Sequence, residues 1–366
     1  MSLETQPVIP VGQKALNSPN YLHFGIDSSL IVEKTTSMEE GSVSRYEHIQ
    51  SQHPKAELTR MQAEKLSYAE RVTRQYLKEK ITSYGLDASY IDDLPIDYVT
   101  SLQDQPHAGG YHVGNYGYTC VVVRPNTWTV SHHAAHELSH ASAKHTIAAH
   151  WNSEGDVIKA PCASGFEQLT KEGEVIGRGL ENAFAIIDEV EIIKRTEDIF
   201  PEEKAKRSIG RLHPIIQLSL EEVNNSNFGP ISTEDIVPII QLEGKTKVGL
   251  GLVITPAYLL IREIGRVVGH DLYKQNLNMA SYTESQIISE GIRFLDKCRY
   301  TDAVDGKLIL ESVFGKEATD LLFSLADYNL NGYDEAMRMV REKEREMGML
   351  PKSPMSDEPL GWDQYF

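Results

Sequence analysis

His136, Glu137 and His140 have the residue types and the spacing that bind a catalytic metal ion. Residues four apart lie on the same face of an α-helix, so the imidazoles of His136 and His140 can converge on one point. Neutral imidazole nitrogens at about 2.0–2.1 Å from a common centre suit Zn²⁺. Glu137 can reach a water at that centre without ligating the ion, which is the position of a general base. These three residues are therefore the candidate zinc site.

The elements around this pentapeptide have the order that such a site requires. Tyr116–Val123 is rich in Tyr and Val and is predicted to be a strand. The Ala-rich run Val130–Ala149 is then predicted to be a helix, with Thr129 or Ser131 as its N-cap. A strand, a short turn and the histidine-bearing helix favour a metal site. The alternative is a surface helix that carries histidines by chance.

The pattern His-Glu-x-x-His at His136–His140 resembles the motif of the zincin superfamily of zinc metallopeptidases. The resemblance implies an α+β fold, with a zincin-like metallopeptidase domain and a C-terminal helical lobe. That domain would contain a small mixed sheet and the active-site helix. It also implies Zn²⁺ as cofactor, a peptide or protein substrate, and an edge strand that pairs with the substrate backbone. Ala108–His112 is the candidate edge; a flexible turn at Gly109-Gly110 is the alternative.

A catalytic zinc needs three protein ligands and one open position. One large group of zincins has a histidine six residues after the second motif histidine, with a glycine between them. Thr146 and Ala143 occupy those positions here, so the chain does not match that group. His132 and His133 are interpreted as helix-start residues that line the cleft, because three imidazoles in a row along one helix do not form a tetrahedral set.

The third ligand is expected from a second helix, predicted at Gly179–Ile193, as in the gluzincins. Glu191 has charged neighbours three or four residues away, so it belongs to a solvated face. Glu189 emerges from an apolar face, where a buried carboxylate is costly unless it is paired or bound to a cation. Its apolar helical neighbours are Ala185, Ile186, Ile192 and Ile193.

We choose Glu189 as the third ligand, because the segment around it also resembles the ligand segment of compact gluzincins. Glu181 is the alternative, since it opens the same helix. Asp188 is a candidate partner for a ligand histidine. Hydrolysis also needs a donor to the developing oxyanion, and Tyr258 and Arg262, four apart on one predicted helix, are the candidates. The alternative places Tyr258 in the core and Arg262 in solvent.

Composition sets limits on the partners. The chain has 366 residues and a net charge of −17, which argues against nucleic acid or an anionic membrane as the main partner. The longest apolar runs are too short to cross a bilayer, and the first twenty residues lack a signal-peptide pattern. Cys120, Cys162 and Cys298 are too few for a disulfide framework. A cytoplasmic protein is therefore expected.

Four regions are predicted along the chain. A poorly ordered lead-in covers 1–53, a zincin-like catalytic domain 54–271, a helical lobe 272–347, and a mobile acidic and aromatic tail 348–366. The remaining elements follow from apolar periodicity and turn residues. They are short strands at Tyr21–Ile26, Ser29–Glu33, Leu94–Leu102 and Tyr111–Val113, a polar loop at Trp151–Ala160, and helices at Pro54–Tyr84, Pro256–Gly269, Thr283–Cys298, Lys316–Tyr328 and Asp334–Met347.

The sequence thus predicts a zinc metallopeptidase in which Glu137 takes a proton from water and delivers it to the leaving amine. Two other functions stay open. The chain could be a catalytically inactive zincin-fold protein with a binding or regulatory role, or it could hold a structural zinc or no metal.

Overall fold

The computed structural model describes residues 21–24, 50–102, 109–113, 118–151, 157–170, 174–201, 239–243, 245–249, 256–275, 282–325 and 330–349. In these ranges the fold is mixed α+β with more helix than strand, which confirms the predicted class at this level. The chain divides into two compact units, Met1–Ser164 and Gly165–Phe366. The predicted catalytic domain 54–271 includes residues of both. The tail 350–366 and most of the lead-in lie outside the described residues.

Helix α1 of the first unit spans Arg60–Ser83. A capping box starts it: the Thr59 hydroxyl accepts from the Gln62 backbone N–H, and the Gln62 side chain accepts from the Thr59 N–H. Gly85, at φ 77°, follows its end. The helix predicted at Pro54–Tyr84 is therefore confirmed, but it begins at the Thr59 cap. Its buried apolar residues are Leu66, Ala69, Leu77 and Ile81.

A three-stranded sheet lies beside α1. Its strands are β2 (Asp97–Val99), β3 (Gly110–Val113) and β4 (Tyr118–Val122), in the order β2-β4-β3. β2 runs parallel to β4, and β3 runs antiparallel to it. The strands predicted in these three segments are confirmed, and β3 is an edge of the sheet. Alternate β4 residues point to opposite faces, so Val121 packs with residues of α1 and the next helix, namely Leu66, Val130 and Ala134.

Helix α2 (Thr127–Ser142) carries the candidate metal ligands. The prediction that it continues to Ala149 is wrong, because strand β5 begins at His145 and runs to Trp151. β5 pairs parallel with β1 (Tyr21–Phe24), which confirms the strand predicted from Tyr21. The two ladders that β5 forms, one to β1 and one to the next strand, outweigh the helix propensity of its alanines.

Strand β6 (Val157–Ser164) pairs antiparallel with β5. The polar loop predicted at Trp151–Ala160 is therefore wrong from Val157 onward. The β-branched side chains of Val157 and Ile158 favour the strand. The strand predicted at Ser29–Glu33 lies outside the described residues.

The second unit consists mainly of helices. Helix α4 (Pro256–Gln275) lies at its centre and packs against α3 (Arg178–Thr196), α5 (Glu284–Tyr300) and α8 (Leu330–Glu346). No helix in the described ranges has both the length and the apolar character to span a membrane. The elements are the hairpin β7 (Glu167–Leu169) and β8 (Val175–Ile176), α3 (Arg178–Thr196), the hairpin β9 (Ile239–Glu243) and β10 (Lys245–Gly249), α4 (Pro256–Gln275), α5 (Glu284–Tyr300), α6 (Ala303–Phe314), α7 (Lys316–Ser324) and α8 (Leu330–Glu346).

The helices predicted in the C-terminal lobe are confirmed with shifted ends. α5 starts after a Thr283 capping box. α7 stops at Ser324 rather than Tyr328, because Leu325 adopts an extended conformation. α8 begins before the predicted Asp334. Helix α6 was not predicted, although Asp302 caps it by accepting from the Val304 N–H at 2.9 Å.

Glycines let α4 and α5 cross closely. The prediction that Gly269 ends α4 is wrong, since the helix continues through it. A Cβ at Gly269 would lie 2.1 Å from the carbonyl oxygen of Ile287, and one at Gly291 would lie 1.8 Å from that of Gly265. These glycines are therefore needed for backbone approach and not for helix termination.

Replacing Gly291 with Ala should lower the free energy of unfolding by about 1–3 kcal/mol, because α4 and α5 must separate to admit the methyl group. Urea unfolding followed by circular dichroism measures this change. Ser289→Ala, at an exposed position of the same helix, is the matched control and should change stability little. Equal unfolding midpoints for the two variants would contradict the proposed packing.

Candidate metal centre

The start of α2 is fixed by Asn126, whose side-chain oxygen accepts from the Trp128 backbone N–H at 3.0 Å. The predicted N-cap at Thr129 or Ser131 is wrong, because Asn is among the strongest capping residues and comes earlier. The Ser131 hydroxyl instead donates to the Trp128 carbonyl oxygen at 2.7 Å. The helix therefore begins earlier than predicted, and His136 lies in its interior.

Three histidines form the half-exposed stripe of α2. Between Val130 and Ser142, His133, His136 and His140 are half-buried, and every other residue is buried. Their spacing of three and four places them on one face of the helix. The helix thus presents imidazoles at the place where it reaches the surface of the first unit.

The two motif imidazoles converge, as their spacing predicts. Nε2 of His136 and Nε2 of His140 lie 3.2 Å apart, and the rings are inclined at 76°. A tetrahedral zinc ion held by two nitrogens at 2.0–2.1 Å would set them about 3.3–3.4 Å apart. The pair is therefore close to the spacing of a zinc chelate. The same distance also suits a hydrogen bond in which one imidazole donates to the other.

Glu137 is 7% exposed and lies against the backbone of β3. A Cβ at Gly110 would be 2.9 Å from Cγ of Glu137, 3.2 Å from its Oε1 and 2.7 Å from the carbonyl oxygen of Cys120. A Cβ at Gly109 would overlap the ring of His133. The two glycines thus allow β3 to pass directly over the helix beside the candidate base.

The edge predicted at Ala108–His112 overlaps β3, which begins at Gly110. Ala108 lies outside the described residues. The Val122 N–H donates to the carbonyl oxygen of Gly109 at 2.8 Å, and Tyr111 lies opposite Cys120 in the ladder. Because antiparallel pairs alternate, the peptide groups of Gly110 are directed away from β4. The strand next to Glu137 is therefore an edge of the kind that can take up an extended peptide.

Other histidines surround the helix in the first unit. His132 is buried, and its ring centroid lies 3.7 Å from that of Trp128. Because α2 begins at Thr127, the interpretation of His132 as a helix-start residue that lines the cleft is wrong. His112 on β3 lies 5.0 Å from His145, measured between ring centroids, and its Nδ1 is 2.9 Å from the Thr119 hydroxyl. Sequence reasoning missed this second histidine pair, because it treated His145 as part of the helix.

Cys120 is buried next to this region. Burial raises the pKa of its thiol to about 12, and the nearby charge of Glu137 acts in the same direction. Cys120 and Cys298 are both free thiols. A protonated, buried thiol of this kind behaves as a small apolar residue.

In the second unit, two carboxylates of α3 form ion pairs with the buried guanidinium of Arg299. Arg299 is 0% exposed; its Nη2 donates to Oε1 of Glu181 at 2.5 Å and its Nη1 to Oδ2 of Asp188 at 3.3 Å. The other Glu181 oxygen accepts from the Phe166 N–H at 2.9 Å. The geometry therefore favours a structural role for Glu181, the alternative third ligand, and for Asp188. Asp296 also contacts this arginine.

Glu189 is 3% exposed, as its apolar neighbours predict. Glu191 pairs with Lys194 at 2.7 Å on the solvent side, also as predicted. The assignment of Glu189 as the third metal ligand stays a prediction from the sequence. The helical neighbours of Glu189, namely Ala185, Ile186, Ile192 and Ile193, are all buried.

Tyr258 and Arg262 lie one turn apart on α4, and both are half-buried. They lie on the same helical stripe as Arg266 and His270, which are also half-buried. Tyr258 is therefore not a core residue, so the alternative that placed it in the core is wrong. Their assignment as oxyanion donors stays a prediction.

Within the described ranges, His, Cys, Asp and Glu side chains do not form a group of three or more that could hold a metal ion. Comparison with known proteins found no match: no family model, no curated protein and no solved structure is significantly similar to the chain. The mixed α+β architecture and the local geometry of α2 are therefore the basis for the functional argument.

Gly110→Ala should disturb this region by pushing β3 away from Glu137. We expect the free energy of unfolding to fall by about 1–3 kcal/mol, because the added methyl meets backbone on one side and Glu137 on the other. Guanidinium unfolding monitored by fluorescence tests this. A fully stable Gly110→Ala protein would show that β3 does not lie so close to α2.

Proposed function

We propose that the protein is a zinc-dependent metallopeptidase with Glu137 as its general base. The observation that supports this most is the 3.2 Å separation of the His136 and His140 Nε2 atoms on the half-exposed face of α2. Further support comes from the buried carboxylate of Glu137 on the same helix, beside an edge strand. The proposed substrate is a peptide or protein, and the proposed compartment is the cytoplasm.

His136 and His140 would hold the ion through Nε2, with Glu189 as the third ligand that the sequence indicates. When bound, zinc would supply the Lewis acidity that activates water and polarises the scissile carbonyl. Glu137 would take the proton of the attacking water and deliver it to the leaving amine.

The peptide groups of Gly110 would orient the substrate by pairing with its extended backbone. Tyr258 and Arg262 are the proposed donors to the oxyanion. Both assignments come from the resemblance to zincins and from the sequence. The substitution of Glu137 tests the general base without relying on either assignment.

Glu137→Gln should leave zinc binding unchanged and lower peptide hydrolysis by about 10²–10⁴-fold, because the amide cannot accept the proton of water. Zinc content by elemental analysis and cleavage of a peptide library measure the two effects. A chelator should abolish the wild-type activity.

Glu57→Gln, at an exposed position of the first unit, is the control and should cleave normally. Undiminished turnover by Glu137→Gln would exclude the proposed base. A wild-type protein that binds zinc tightly yet cleaves no peptide would instead favour the inactive binding protein.

The two candidate third ligands can be separated by paired substitutions. Glu189→Gln should weaken zinc binding by at least about tenfold. Glu181→Gln should leave zinc affinity unchanged and destabilise the fold by about 3–5 kcal/mol, since it breaks a buried pair with Arg299. Zinc titration with a competing chelator and urea unfolding give the two readouts. The reverse pattern would make Glu181 the ligand.

A further inference from the structure

Two buried glutamates from α4 and α8 meet at one arginine nitrogen. Nη1 of Arg341 donates to Oε2 of Glu263 at 2.9 Å and to Oε2 of Glu344 at 2.8 Å. All three residues are buried, and Glu344 is 0% exposed. A single nitrogen that serves two carboxylates brings their oxygens close together in a poorly solvated place. Two negative charges so close would repel each other strongly.

The nearby cations are shared unevenly among the carboxylates of this cluster. Arg266 donates from Nη1 to Glu344 at 3.0 Å but stays 3.8 Å from Glu263. Nε of Arg266 donates to Oε1 of Glu284 of α5 at 2.6 Å. The other carboxylate oxygen of Glu284 lies 2.9 Å from Nε2 of His270. The cluster thus has two arginines and one histidine for three carboxylates, and the histidine contacts only Glu284.

Of the three carboxylates, Glu263 has the weakest ion pairs with the nearby cations. Its ion pairs come from Arg266 on α4 and Arg341 on α8, and the first of these is long. Glu284 of α5 reaches the cluster through Arg266. Among the described residues of α3 and α6, which also pack on α4, none forms an ion pair with Glu263. Burial raises the pKa of Glu263 to about 7; Arg341 opposes this shift and the charge of Glu344 adds to it.

We propose that Glu263 and Glu344 share one proton, and that this proton holds α8 against α4 as a pH-sensitive latch. The protonated carboxyl of one glutamate donates to the other, which removes the repulsion and completes the hydrogen bonding around Arg341. Loss of the proton leaves two adjacent buried charges, and α8 then separates from α4 more often. The latch is independent of the metallopeptidase proposal, because it involves neither α2 nor zinc.

The direction of the pH effect follows from linkage. The pKa of Glu263 in the folded protein is raised above its value in the unfolded chain, so the folded state binds more protons between the two values. The stabilisation is complete below pH 4.5 and is lost as the pH rises toward about 7. The latch is therefore closed in acid and loosened at neutral and alkaline pH.

Hydrogen exchange of the α8 amides in the full-length protein tests this directly. After correction for the intrinsic exchange rate, opening of α8 in the wild type should increase by at least about tenfold from pH 5 to pH 8.5. Glu263→Gln should abolish this increase, because its amide donates permanently to Glu344.

Glu342→Gln is the matched control, since Glu342 lies on the same helix, is exposed and pairs with Arg338. It should behave like the wild type. The same pH dependence in Glu263→Gln and the wild type would overturn the proposal.

A second measurement decides the question if Glu263→Gln does not fold. Carbon-13 NMR of glutamate carboxyls in the wild-type protein should show one signal that titrates above pH 6. If every glutamate carboxyl titrates below pH 5.5, the shared proton does not exist and the latch is excluded.

Discussion

Buried carboxylates must be compensated, and in a chain of net charge −17 this constraint shapes both units. In the second unit, arginines surrounded by acids do this: Arg299 binds three carboxylates and Arg341 binds two. In the first unit, the buried Glu137 lies on a helix whose half-exposed stripe consists of histidines. Acids bound to buried arginine hold helices together. The buried acid of α2 lies on the helix whose imidazoles are the proposed zinc ligands.

Local geometry explains which parts of the site could be predicted. Convergence of His136 and His140 follows from a spacing of four in any regular helix, so the 3.2 Å separation of their Nε2 atoms needs no knowledge of the remaining fold. The burial of Glu189 follows in the same way from its apolar helical neighbours. Capping boxes at Thr59 and Thr283 fix two helix starts from a few adjacent residues.

Contacts between distant residues explain what could not be predicted. Arg299 lies 118 residues after Glu181, and the spacing around Glu181 carries no signal for that pair. Gly269 resembles a helix stop in sequence, yet it serves the crossing of α4 with α5. The alanines after His145 favour a helix, but pairing with β1 and β6 makes them a strand. In each case a partner from elsewhere in the chain overrides the local preference.

The spacing of the two motif imidazoles also bears on how a metal would enter. At 3.2 Å, the two Nε2 atoms lie within hydrogen-bonding distance and at nearly the chelating distance. Under the proposed function, zinc binding would therefore require little movement of either ring. The folded helix would meet the cost of ordering the two side chains in advance, which would strengthen binding through preorganisation. Since metal and proton compete for the same nitrogens, zinc affinity would fall as the pH decreases.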